Sequence, residues 1–191
     1  MRSRVFIQTE DTPNPDTLKF LPGQDVLPGA TLDFRSESDA ASSPLAERLF
    51  RIKGVTGVFY GGDFIAVSKT DAEWKHIKPA ILGAIMEHFT SGAPLVSEGA
   101  APQGDAHGNY EGDDAEIVEQ IIELLDTRVR PAVANDGGDI TFKRWDGRSG
   151  TVFLHMRGSC AGCPSSTMTL KSGIERLLKH YVPEVVAVEA A

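Results

Sequence analysis

The stretch TVFLHMRGSCAGCPSSTMTLKSGIERLLKHYV, residues 151–182, decides how the second half of this chain is read. TVFLHMR has the composition of a strand, and a glycine-flanked loop carrying Cys160 and Cys163 leads from it directly into a helix. Pro164 suits the first turn of that helix, and Ile174, Leu177, Leu178 and Tyr181 give it an inner face. Upstream, DITFKRW reads as a partner strand joined through Asp146-Gly147, and Asn135-Asp136-Gly137-Gly138 supplies the turn before it. Ile117, Val118, Ile121, Ile122 and Leu125 form the apolar stripe of an earlier helix. Asp113 and Glu116 are placed to cap it as a box, and Pro131 should end or kink it. EVVAVEA adds a final strand, so residues 113–191 read as an α-β-β-α-β domain.

Residues 91–112 hold five glycines and two prolines with no apolar period, the composition of a flexible linker. Residues 1–90 then form a separate domain, and the fold class is α+β with two small domains. RVFIQT and TLKFL read as strands on either side of the proline-stiffened loop TPNPD. Ser42 or Ser43 can cap a helix that opens with Pro44. GVFYGGDFIAVSK is a hairpin signal, with Gly61-Gly62 expected to take the positive φ values of a tight turn. Asp71 to Phe89 spaces Trp74, Ile77, Ile81, Leu82, Ile85 and Phe89 as a helix, with Asp71 to Glu73 as its caps.

Composition removes several classes of function. The chain has 191 residues and a net charge of -8, which divides as -2 over residues 1–90, -3 over 91–112 and -3 over 113–191. With no basic stripe the electrostatic term behind nucleic-acid binding is missing. The apolar runs fall far short of the roughly 20 residues that cross a bilayer, so no membrane partner is expected. The start, MRSRVFIQTEDTPNP, lacks a secretory core, and its early acidic residues argue against a mitochondrial address; the expected location is cytoplasmic. Signatures of nucleotide hydrolysis, zinc proteolysis and acyl transfer are absent.

The chemistry rests on its two cysteines. Two cysteines placed at random fall three apart about one time in a hundred, so the spacing is informative. It puts two soft sulfurs on one loop, and a position before a helix favours their thiolate forms. Iron-sulfur clusters want four thiolates, and a twofold dimer supplies the second pair. A thiol-disulfide oxidoreductase also uses C-x-x-C, but here Pro164 follows the pair. A zinc site lacks its remaining local ligands, and burial of two small cysteines at a turn is the bland alternative. His76, His88, His107 and His180 read as solvated surface, and His155 as structural rather than ligating. Met156 and Met168 bracket the motif as packing residues.

The run RPAVANDGGDI, the strands TFKRW and TVFLHMRG, and GSCAGCPSSTMTLKSGIERLLKHYVPEV together resemble the C-terminal domain of the NifU-like (Nfu) iron-sulfur proteins. FIQTEDTPNPDTLKFLPG and GVFYGGDFIAV are similar to the Nfu N-terminal domain of mitochondrial and related bacterial members. The resemblance implies a cluster scaffold or carrier rather than an enzyme. It implies that Cys160 and Cys163 bind a labile 4Fe-4S cluster, with 2Fe-2S as the other nuclearity, between the subunits of a homodimer. Upstream assembly proteins and recipient apoproteins are then the partners. The first domain has no cysteine, which excludes a second cluster of this kind there.

Overall fold

The computed structural model describes residues 6–97, 108–161 and 164–191, with the side chains of 164–166 also outside the description. The chain divides into two compact units, Met1–Gln103 and Gly104–Ala191. Helix and strand are mixed in both, as an α+β chain requires. No helix among the described residues is long and apolar enough to cross a membrane.

In the first unit, β1 (Gln8–Asp11), β2 (Thr17–Leu21), β3 (Leu32–Phe34), β4 (Val55–Tyr60) and β5 (Ile65–Lys69) form one sheet in the order β1-β2-β5-β4-β3. Every neighbouring pair is antiparallel. The period-2 alternation of a strand sends Leu18, Phe20, Val58, Tyr60, Ile65 and Val67 into one core. That core is closed by α1 (Pro44–Phe50), through Leu45 and Leu49, and by α2 (Trp74–Ser91), through Ile77, Ile81 and Ile85. Ser43 caps α1, its Oγ accepting from Ala46 N at 3.2 Å, and Pro44 begins the helix.

Local details differ from the sequence reading. The first strand sits later than RVFIQT, and residues 1–5 lie outside the description. The β4–β5 hairpin forms, but Gly61 and Gly62 do not take positive φ. Gly61 is needed for space instead, since a Cβ there would stand 2.3 Å from the Phe64 ring. Glu73 stands at the start of α2 without a side-chain capping bond, and His88, expected on the surface, is 4% exposed. Residues 91–97 belong to the expected linker, yet Leu95 and Val96 pack against the first core and Ser97 N donates to Ser42 O. Residues 98–107, including His107, lie outside the description.

The second unit holds α3 (Asp113–Leu124), a π-helical turn (Leu125–Val129), α4 (Arg130–Asn135), β6 (Gly138–Asp146), β7 (Thr151–Gly158), α5 (Pro164–Tyr181) and β8 (Ala187–Ala190). β6 and β7 are an antiparallel hairpin, and β8 returns through α5 to lie parallel to β7. Ile140, Phe142, Val152, Leu154 and Met156 on the sheet meet Val118, Ile121, Leu125, Ile174 and Leu178 of the helices. Pro131 does not end the helical run. The wider π turn precedes it, and Pro131 enters the first turn of α4, where its missing N–H costs least. The capping box does not form: Gly112 holds the N-cap at φ 62°, and Asp114 Oδ1 instead accepts from Trp145 Nε1 at 2.8 Å. Tyr181, expected inside, is 45% exposed, with the Arg128 guanidinium 5.1 Å from its ring centroid.

Candidate functional site

Cys160 stands two residues beyond the end of β7, in the loop that leads to α5. The hairpin register sets Gly138, at the start of β6, opposite Gly158, at the end of β7. Both flanking turns use left-handed glycines, Gly137 at φ 80° and Gly158 at φ 63°, a conformation strained for other residues. Ser159 N donates to Gly137 O at 3.2 Å and Ser159 Oγ to Asp136 O, tying the loop to the turn before β6. Ala161 N donates to Gly158 O at 3.1 Å, and Thr167 Oγ1, from the first turn of α5, donates to Cys160 O at 3.1 Å. The turn is braced in its own right. Asp139, nearly buried, takes two bonds from Arg130, Nε to Oδ1 at 2.8 Å and Nη2 to Oδ2 at 2.9 Å. These bonds and that to Asp126 push the Arg130 guanidinium still further above its ordinary range.

The environment of Cys160 corrects one expectation. The residue is 6% exposed. Its thiol is pushed up to about 11, the reverse of the expected thiolate. Burial is the main cause; the Ser159 hydrogen bond lowers it, and the Asp136 and Asp139 carboxylates raise it again. A helix N-terminus cannot offset that loss of solvation for a sulfur packed beneath the strand ends.

Cys163, the other expected ligand, lies outside the described residues, as does Gly162. Among the described residues no three His, Cys, Asp or Glu side chains come together as a metal site. His155 lies on β7 opposite Thr141 rather than in the loop. Met156 is buried in the core, and Met168 is 70% exposed on α5. Sequence reasoning missed Gly138, Ser159 and Thr167 as the residues that hold Cys160. Only the strand register brings Gly138 to the loop, and no local pattern carries it.

Residues 7–92 match the family described as scaffold protein Nfu/NifU N terminal, and residues 121–189 match the NifU-like domain. The chain is 53% identical over 190 residues to a Drosophila erecta protein named NFU1 iron-sulfur cluster scaffold homolog, mitochondrial, covering 98% of this chain and 65% of that one. It is 52% identical over 187 residues to the Homo sapiens protein of the same name, covering 97% and 71%. A solution structure of a NifU-like protein from Saccharomyces cerevisiae overlays 51% of this chain and 91% of that one, at 28% identity and a TM-score of 0.46. The chain thus spans about two thirds of the length of these fruit-fly and human relatives. The relatives' names also correct the expected cytoplasmic location, because they point to mitochondria. That expectation read an address from residues 1–15, and targeting is independent of the folded domains that carry the identity. With both domains matched, and half of all residues shared with these relatives, the chain belongs to the Nfu family of iron-sulfur cluster scaffold proteins.

Proposed function

We propose that this chain carries a labile iron-sulfur cluster, a 4Fe-4S cluster in our reading, held by Cys160 and Cys163 of two subunits and handed to apoproteins. The observation that carries the proposal is the donor count. The chain has two cysteines, three positions apart, in the loop between β7 and α5 of a NifU-like domain, and a cluster of this class takes four thiolates. A symmetric pair of loops supplies all four. The names of the relatives, iron-sulfur cluster scaffold homologs, support the same cargo.

The chain acts here as a binder that loads and releases, not as an enzyme. A cluster shared between two chains loses half its ligands when the pair separates, so incoming thiolates of a recipient complete the exchange. Upstream assembly proteins supply the cluster, and the first unit, without a cysteine, serves as the docking element. In this reading the two units, Met1–Gln103 and Gly104–Ala191, are the working domains. The dithiol-exchange alternative uses the same pair, and the names of the relatives, iron-sulfur cluster scaffold homologs, favour the cluster over it.

The proposal is tested by loading the purified chain with iron and sulfide under anaerobic conditions and comparing it with Cys160→Ser and Cys163→Ser. The parent should turn brown and the variants should stay colourless, since each substitution removes two of four ligands from a symmetric pair. Stable cluster retention by either variant would overturn the assignment.

A further inference from the structure

A sulfur that ligates a cluster shared with another chain must reach the surface, yet the structure holds Cys160 in a different place, and named contacts keep it there. A Cβ added to Gly138 would stand 2.6 Å from Cys160 Sγ, 2.7 Å from Arg157 O and 3.1 Å from Cys160 N. Cys160 therefore fills the space that any other side chain at position 138 would occupy, and it packs with the core of the second unit. The loop is clipped on two sides. Ser159 binds the turn before β6 through both its N–H, to Gly137 O, and its hydroxyl, to Asp136 O, and Thr167 of α5 holds Cys160 O. The buried site and the ligand position exclude one another, since one sulfur cannot pack under Gly138 and meet a cluster at the surface.

We propose, resting on the cluster-carrier reading, that Gly138 and Ser159 are positioning residues that stow the Cys160 sulfur in the unloaded chain, so that loading requires residues 159–161 to unclip and turn the sulfur outward. The device has a chemical use. Thiol oxidation needs access to the sulfur, so a stowed cysteine stays reduced while no cluster is present. The opening is local, because it breaks the Ser159 ties without disturbing the β6–β7 ladder, and local openings of this kind are cheaper than unfolding.

The test uses the full chain carrying Cys163→Ser, which leaves Cys160 as the sole thiol. Its alkylation by N-ethylmaleimide is timed at fixed pH in buffer and in unfolding urea. The folded chain should react about 100-fold more slowly than the unfolded one. Adding Ser159→Ala should speed the folded reaction about tenfold with an unchanged circular dichroism spectrum, while Ser159→Thr, which keeps the hydroxyl, should return it to the parent rate. Gly138→Ala should bring the rate close to that of the unfolded chain; should that variant fail to fold, the Ser159 pair still decides. A parent rate within about threefold of the unfolded rate, or a rate unaffected by Ser159→Ala, would overturn the proposal. Alkylation involves no cluster, so this result is separate from the loading experiment. Protection without any loading would remove the carrier reading alone, and loading without protection would remove the stowed sulfur alone.

Discussion

Arg130 and Asp139 face each other as a fork on a fork, with Nε–Oδ1 at 2.8 Å and Nη2–Oδ2 at 2.9 Å, and Asp139 Oδ1 also accepts from Ile140 N at 2.9 Å. The pair joins α4 to the first residues of β6 and so fixes the turn against which Cys160 packs. Its carboxylate is 5% exposed and its guanidinium 32%, which makes the carboxylate the costlier partner to strand. Asp139→Asn should cost about 2–3 kcal/mol, and Arg130→Lys, which keeps charge but loses the fork, about 1–2. Urea unfolding followed by Trp145 fluorescence in a Trp74→Phe background reads the second unit alone. Equal stability of Asp139→Asn and parent would contradict this account.

The Cys160 thiol sets a pH dependence. The folded chain holds its proton up to about pH 11, above the ordinary 9.0. Stability from this group is therefore present below about pH 9 and is lost as pH rises toward 11, at about 1.4 kcal/mol per unit. Cluster-free parent and Cys160→Ala should differ most at pH 8, and the gap in urea midpoint should narrow by pH 11. A gap independent of pH would mean that the thiol titrates normally.

Ser43 does three things at once in the first unit. Its Oγ accepts from Ala46 N at 3.2 Å, lies 2.7 Å from Tyr60 Oη and donates to Leu95 O at 2.6 Å. Burial pushes the Tyr60 phenol above its ordinary range, so that hydroxyl remains protonated and wants a partner. Ser43→Ala should cost about 2 kcal/mol and Tyr60→Phe about 1, measured by thermal melting of the first unit's transition. A larger loss from Tyr60→Phe than from Ser43→Ala would reverse this ordering.

Much of this was legible beforehand, and the failures share a cause. TLKFL, the hairpin strands, the Ser43-Pro44 start of α1 and the strand–loop–helix around the cysteines announce themselves through local period and turn chemistry. Leu32–Phe34 did not, because three residues carry no period, and only pairing with Val58 to Tyr60 makes them a strand. Gly61 looked like a turn residue from composition, but its reason is the Phe64 ring, a contact invisible in a pattern. Asp113 looked like the cap of α3, but Gly112 holds that position, and the next carboxylate, Asp114, is taken by Trp145, 31 positions away. The cysteine pair was found by spacing, whereas the burial of Cys160 depends on the register of β6 against β7. Position along the chain identifies donors; tertiary packing decides whether they are ready to bind.

The edge of the second unit also follows from contacts. Tyr110 precedes the expected boundary at residue 113, yet it packs on the core, its Oη accepts from Trp145 N at 2.8 Å and its ring meets Phe142 edge-on at 6.1 Å. A fragment of residues 108–191 should fold alone and be about 1–2 kcal/mol more stable than one of 113–191. Equal urea midpoints for the two fragments would place Tyr110 outside the folding unit.

The central claim is that two chains share one cluster through Cys160 and Cys163. The most direct measurement is native mass spectrometry of the anaerobically reconstituted chain, combined with iron and sulfide analysis of the same sample. The account predicts a loaded species of two chains with four iron and four sulfide. A cluster-bearing single chain with no added thiol ligand, or a loaded dimer that persists when both cysteines are replaced by serine, would contradict it.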